Sequence, residues 1–172
     1  MFKRKEKVSS GQIAADLVEF FDKTFQFCIL SKPDGIKLTD VEYREQSLAF
    51  VFNTANLVVQ RSKLDSSAKY FVEMRFMDVL ARHHGFLWSE VEAINFFQKS
   101  WEEFLPATDA EGMGVFPGFI VHFFSKIGID MGTPDAASAI GSLVGITMSV
   151  MGTMVTTADF LNDVAPIITV TE

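Results

Sequence analysis

The chain contains one cysteine, Cys28, in 172 residues. A single cysteine excludes an intramolecular disulfide and a cluster of thiolate metal ligands. Its neighbours Phe27 and Ile29 are apolar, so we expect a buried side chain rather than a reactive thiol, which needs a cationic neighbour. The lack of cysteine pairs is typical of intracellular proteins, and we expect a cytoplasmic location.

Basic residues are also scarce, with 15 Lys and Arg against 22 Asp and Glu and a formal net charge of -7. Phosphate backbones and anionic lipid headgroups repel such a chain. We therefore predict no binding to nucleic acid and disfavour a membrane surface. The basic residues 1–8 are not followed directly by an apolar segment, as a signal peptide would require, and we interpret them as a flexible arm.

Charge is absent from residues 136–158. In this stretch small side chains recur at every fourth position, which places them along one side of a helix and lets another backbone approach closely. The larger side chains Met148 and Met151 belong to a different side. The small residues are Ala137, Gly141, Gly145, Ser149, Thr153 and Thr157.

A helix that is apolar all round must be buried, either in a protein core or in lipid. This stretch is long enough to cross a bilayer. However, it is rich in Ser, Thr and Gly, its flanks are acidic, and it lacks the aromatic and basic residues that mark membrane interfaces. We predict the buried core helix of a soluble protein, with a membrane span as the alternative.

The row of small residues has two possible partners. It packs either on another helix of the same chain or on a second copy across a two-fold axis, which presents one surface twice. We predict a homodimer. The predicted interface consists of Ala137, Gly141, Gly145, Ser149 and Thr153.

The rest of the chain carries repeated signals for helix starts and stops. Suitable N-caps are Ser9 or Ser10, Thr39 or Asp40, Asp65-Ser66-Ser67, Ser89 and Thr133, and Pro134 suits a first helical turn. These signals predict a single all-α domain over residues 1–172, a bundle of about six helices. We expect the last helix, residues 133–164, at its centre and residues 165–172 as an extended tail.

The chain holds 18 phenylalanines, and one histidine lies among several of them. His122 is most simply a neutral core histidine, but it could also fix a ligand in an apolar pocket. The candidate pocket consists of His122, Phe119, Phe123, Met148 and Met151. The methionine stripe of Met148, Met151 and Met154 either fills the core or forms an adaptable binding surface.

No complete catalytic motif is present. Ser66-x-x-Lys69 matches part of a nucleophile motif, but its partner motifs are missing and the pair suits a helix start. His83 and His84 are weak metal candidates, because Asp78 and Glu90 could join them only through a turn. We therefore predict no catalytic residue, no metal and no cofactor.

These observations favour a non-enzymatic helical interaction or regulatory protein that acts by self-association or by binding a protein partner. The alternative is a binder or sensor of an apolar small molecule near His122.

Overall fold

The computed structural model describes residues 8–105, 115–129 and 136–169, and this part of the chain is a helical bundle. The prediction of an all-α fold with six helices is confirmed for these residues. The elements are β1 (Val8–Ser9), α1 (Ser10–Leu30), α2 (Asp40–Arg61), α3 (Ser66–His83), α4 (Glu90–Phe104), α5 (Val115–Lys126), α6 (Ala136–Val164), a 3₁₀ turn (Ala165–Ile167) and β2 (Ile168–Thr169).

The first four helices begin at the predicted caps. Side chains at Ser9, Thr39, Asp65 and Ser89 each accept a hydrogen bond from a backbone N–H in the first turn. Thr39 and Ser89 form complete capping boxes with Glu42 and Glu92. These bonds satisfy N–H groups that a helix end leaves without a partner. The predicted cap and first turn of the last helix, Thr133 and Pro134, lie outside the described residues.

The most deeply buried helix of the described part is α2. Every residue at positions 47–59 is buried, which leaves no face of this segment in water. The placement of the last helix at the centre of the bundle is therefore corrected, because the described side chains of α6 from Val144 onward leave one apolar face exposed. A helix surrounded by neighbours needs apolar or hydrogen-bonded residues all round. The buried polar side chains of α2 make hydrogen bonds, although Asn53 Oδ1 has no partner among the described residues.

Two apolar clusters flank α2. The larger one joins α1, α3 and α4 with the C-terminal end of α6, and it contains Phe52, Phe76 and Phe97. The smaller one joins α5 with the middle of α6, where Phe50 of α2 stacks on Phe123 with ring centroids 4.5 Å apart. Because α2 contributes Phe52 to the larger cluster and Phe50 to the smaller one, it connects the two clusters.

Polar side chains inside α2 bond locally or to a neighbouring helix. Asn53 Nδ2 donates to the Ala49 carbonyl at 2.7 Å and to Ser100 Oγ at 3.2 Å. Asn56 Nδ2 donates to Glu73 Oε1 at 3.3 Å. Both asparagines are buried rather than solvent-facing, because their amides link α2 to α3 and α4.

The two ends of the described chain meet in a short parallel pair. Val8 of β1 pairs with Ile168 of β2, and Ser9 pairs with Thr169. Val8 therefore belongs to a strand and not to a flexible arm, whereas residues 1–7 lie outside the described part. The predicted extended tail begins with a 3₁₀ turn and continues as β2.

Candidate functional site

The outer face of α6 carries four large apolar side chains in water. Their exposed fractions are 51% for Val144, 69% for Met148, 52% for Met151 and 65% for Val155. The spacing of four, three and four residues keeps them on one side of the helix. We call these four residues the outer stripe. The methionine stripe therefore does not fill the core at Met148 and Met151, although Met154 packs partly against it.

The opposite face of α6 is buried by the same chain. Ile146, Val150, Thr157 and Leu161 are completely enclosed. Leu161 joins the larger apolar cluster, whereas Ile146 and Val150 join the smaller one. The helix is therefore divided lengthwise into a packed face and a free apolar face.

The small residues of α6 contact α1 where the two helices cross. A β-carbon built on Gly145 would lie only 2.6 Å from Cζ of Phe27. One turn further, Thr24 Oγ1 lies 3.4 Å from Ser149 Oγ and 3.1 Å from Thr153 Oγ1. Of the two partners considered for this row, the structure places a helix of the same chain against these three positions.

The other two residues of the predicted interface, Gly141 and Ala137, lie closer to the N-terminal end of α6. Gly141 is exposed, and a β-carbon there would meet nothing within 4 Å. Ala137 lies on the described backbone of α6, but its side chain lies outside the described part. Among the described residues of α6, the outer stripe and Gly141 are thus open to another molecule, as are Gly152, Thr156, Asp159 and Asp163.

The residues of the predicted apolar pocket lie in different environments. Phe119 and Phe123 are completely buried in the smaller cluster, whereas Met148 and Met151 are more than half exposed. The apolar depressions that α6 lines among the described residues include neither His122 nor these phenylalanines. The structure therefore does not bring these five residues together around a described cavity.

His122 is half-buried beside the C-terminal end of α4. Its ring packs edge-on against Phe104, with centroids 4.4 Å apart. Burial lowers its pKa, Lys126 lowers it further, and Glu103 opposes them. Its buried Nε2 has no hydrogen-bond partner in the described part of the chain. Lys126 Nζ donates to Glu103 Oε2 at 2.6 Å, which joins the ends of α4 and α5.

An open groove of about 240 Å³ runs between the C-terminal ends of α2 and α6. Its walls are mostly apolar, and Val155 of the outer stripe forms part of them. The lining residues are Leu57, Val58, Arg61, Ser62, Met154, Val155, Ala158 and Asn162.

The two adjacent histidines meet a carboxylate that was not predicted. His83 Nε2 lies 3.1 Å from Asp22 Oδ1, and His84 Nδ1 lies 3.9 Å from the same oxygen. The predicted carboxylate Asp78 is instead paired with Arg82 at 2.6 Å. A metal-ligand atom from each of Asp22, His83 and His84 lies within 4.8 Å of the others.

His84 is held firmly in this group. Burial lowers its pKa to about 4, with His83 and Arg44 acting in the same direction and Asp22 opposing them. Its ring lies 3.9 Å from that of Phe25, centroid to centroid. Its carbonyl accepts a hydrogen bond of 2.9 Å from Arg44. The side chain is therefore neutral at physiological pH and fixed in orientation.

The sequence analysis missed Asp22, Thr24 and Phe27 as partners of these two regions. All three lie on α1, and their contacts are with residues at least 60 positions away in the chain. Asp22 does lie on the polar side of a predicted helix, but nothing local indicates which helix faces it. Two members of the outer stripe, Met148 and Met151, belonged to the predicted methionine stripe, but the sequence left open whether that stripe fills the core or forms a binding surface.

Two wider observations complete the description. Among the described residues, Val144–Ile167 is long and apolar enough to cross a membrane by length and composition alone, and 22% of the tested window is buried. Comparison with known protein families, curated proteins and solved structures finds no match.

Proposed function

We propose that this protein is a non-enzymatic interaction module that forms a homodimer through the outer stripe of α6. The supporting observation is the continuous exposure of Val144, Met148, Met151 and Val155 on a helix whose other face is packed. Exposed apolar patches of this kind mark interaction sites more often than scattered single residues do.

A second copy of the chain is the occupant that the stripe fits best. Its residue order, Val144, Met148, Met151 and Val155, is symmetric about the midpoint between the two methionines. In an antiparallel pair about a two-fold axis, each valine would lie opposite the other valine and each methionine opposite the other methionine. An isologous contact requires this kind of self-complementarity.

The positions of the acidic residues also favour an antiparallel pair. The chain carries a net charge of -7, so two copies repel each other wherever acidic residues approach. The stripe is uncharged, and the first acidic residues after it are Asp159 and Asp163. Antiparallel pairing separates each Asp159 from its copy by about 28 Å along the axis, well beyond the screening length. Parallel pairing would place them side by side.

The stripe predicts a weak dimer. Complete burial of one Val or Met side chain contributes about 1.5–3 kcal/mol, so the exposed fractions of eight such chains contribute on the order of 8 kcal/mol. Association costs about 4–15 kcal/mol in lost freedom of motion. The stripe alone therefore contributes at best about -4 kcal/mol net, a dissociation constant of about 1 mM, and a micromolar dimer requires a contact that extends beyond the stripe.

The test is the mass of the untagged protein over a concentration series, by light scattering and native mass spectrometry. Met148→Glu removes the most exposed apolar side chain from both sides of the contact, and we expect it to weaken the dimer about 100-fold. Val91→Glu on α4 is the matched control, because Val91 is 66% exposed and receives the same charge. A wild-type chain that stays monomeric, or two variants that behave alike, would refute the proposal.

Orientation can be tested separately with an introduced thiol. Cys28 is buried and does not compete. In the antiparallel pair, Val155→Cys lies about 16 Å from its copy and forms no disulfide. In a parallel pair the two thiols would be adjacent and would cross-link under mild oxidation.

An apolar small molecule remains the second candidate occupant. The observation that favours it is the groove between α2 and α6, where Arg61 provides a cation beside apolar walls. This arrangement suits a molecule with an apolar body and a carboxylate, in a different place from the predicted pocket near His122. Retained extra mass in the native spectrum, lost in Arg61→Ala, would support this function over dimerisation.

A further inference from the structure

We propose that Asp22, His83 and His84 form a binding site for one divalent transition-metal ion, with Zn²⁺ as the best fit. The site lies where the end of α3 meets α1, away from the outer stripe. It is built from two imidazoles and one carboxylate.

The spacing of the ligand atoms suits a small ion. Ligands about 2.1 Å from a tetrahedral Zn²⁺ are about 3.4 Å apart. The two distances from Asp22 Oδ1, 3.1 Å to His83 Nε2 and 3.9 Å to His84 Nδ1, lie on either side of that value. Small rotations of both His83 and Asp22, whose side chains are 45% and 34% exposed, would bring the three atoms into range.

The local backbone explains how neighbouring residues converge on one carboxylate. His83 is the last residue of α3, and His84 is its C-cap with φ -90° and ψ 12°. Gly85 follows with φ +75°, a conformation that glycine adopts without steric cost. The change of backbone direction after His83 turns both rings toward α1, where they meet edge-on with centroids 4.9 Å apart.

The donor set selects the class of metal. Imidazole nitrogen is a preferred ligand of Zn²⁺, Cu²⁺ and Ni²⁺, whereas Ca²⁺ and Mg²⁺ prefer oxygen ligands. Two nitrogens and one carboxylate therefore favour a transition-metal ion. Three protein ligands leave a tetrahedral ion one position for water, which the partly exposed Asp22 and His83 can accommodate.

Surrounding contacts hold the buried ligand in place. His84 packs on Phe25, and its carbonyl accepts from Arg44 of α2. These contacts fix the backbone and the ring plane of His84, whereas its buried Nε2 has no hydrogen-bond partner among the described residues. The guanidinium of Arg44 is engaged with that carbonyl, and Arg82 is engaged with Asp78.

The test uses the untagged, metal-free protein and two ions. Co²⁺ reports its coordination by visible absorption, and Zn²⁺ is titrated by calorimetry and by competition with Co²⁺. We expect one ion per chain, an increase in thermal stability with Zn²⁺, and no response to Ca²⁺ or Mg²⁺. The same result is expected in the Met148→Glu background, because the site does not involve the outer stripe.

Variants of the two partly exposed ligands avoid disturbing the buried His84. Asp22→Asn and His83→Ala should each weaken Zn²⁺ binding at least about tenfold. Glu19→Gln, on α1, and His122→Ala, far along the chain, are the matched controls and should bind like the wild type. The proposal is wrong if the wild-type chain gives no Co²⁺ absorption, if the ligand variants bind normally, or if the controls lose binding equally.

Discussion

Replacing Gly145 by alanine tests the closest approach between α6 and α1. A β-carbon at this position would lie 2.6 Å from Cζ and 2.8 Å from Cε1 of Phe27. Unstrained contacts between carbon atoms are about 3.5–4.0 Å long, so either the ring or the helix has to move. Gly152 is the matched control in the same helix, because a β-carbon there would meet nothing within 4 Å.

The expected difference follows from two opposing contributions. Alanine is favoured over glycine in a helix interior by about 1 kcal/mol, and this gain applies at both positions. Overpacking at Gly145 costs about 1–3 kcal/mol, toward the lower end because Phe27 is 37% exposed and its ring can turn into water. We expect Gly152→Ala to stabilise the fold by about 1 kcal/mol and Gly145→Ala to be about 1–3 kcal/mol less favourable than that.

Urea denaturation followed by circular dichroism measures these free energies of unfolding. All variants are compared in the Met148→Glu background, so that self-association does not contribute. In a Phe27→Ala background the obstacle is gone, and Gly145→Ala should then stabilise the fold as Gly152→Ala does. If Gly145→Ala stabilises the fold as much as Gly152→Ala while Phe27 is present, the close contact is wrong.

Two further predictions concern buried polar groups. Burial lowers the pKa of His84 to about 4 in the fold, against an ordinary value of 6.5. Between these pH values the unfolded chain binds more protons than the folded chain. The free energy of unfolding should therefore fall by about 2–3 kcal/mol as the pH drops from 6.5 to 4. His84→Leu should flatten this pH dependence in metal-free buffer, and an unchanged slope would contradict the assignment. Tyr43 Oη donates to the buried Cys28 carbonyl at 2.8 Å. Tyr43→Phe should cost about 1–2 kcal/mol in the same denaturation assay, and a loss near zero would mean that water or another group replaces this bond.

Local signals were enough to locate the helices of the described part. A cap acts within three residues, so Thr39 and Ser89 with their glutamates mark helix starts without reference to the rest of the fold. A left-handed glycine likewise marks a stop, as Gly85 does after α3. Hydrogen bonds and backbone conformations that involve only a few neighbouring residues therefore determine where these helices begin and end.

The arrangement of the helices in the bundle was harder to predict from the sequence than the helix starts were. Residues 136–158 were predicted to be central because they are uncharged, yet α2 is the buried helix and α6 leaves a stripe in water. Hydrophobicity shows that a face can be buried, but it does not show whether the same chain covers it. The polar residues of α2 concealed its position, because the amide nitrogens of Asn53 and Asn56 donate to partners on α4 and α3 that the sequence does not reveal.

The sequence by itself determined the helical class and the starts of the first four helices. Only the tertiary structure decided which helix lies at the centre, that Gly145 and Thr153 face α1, and that Asp22 meets His83 and His84. The physical reason is the distance along the chain over which each kind of interaction acts. Caps and periodicity act within one or two turns, whereas these contacts join residues 60 or more positions apart through the packing of whole helices.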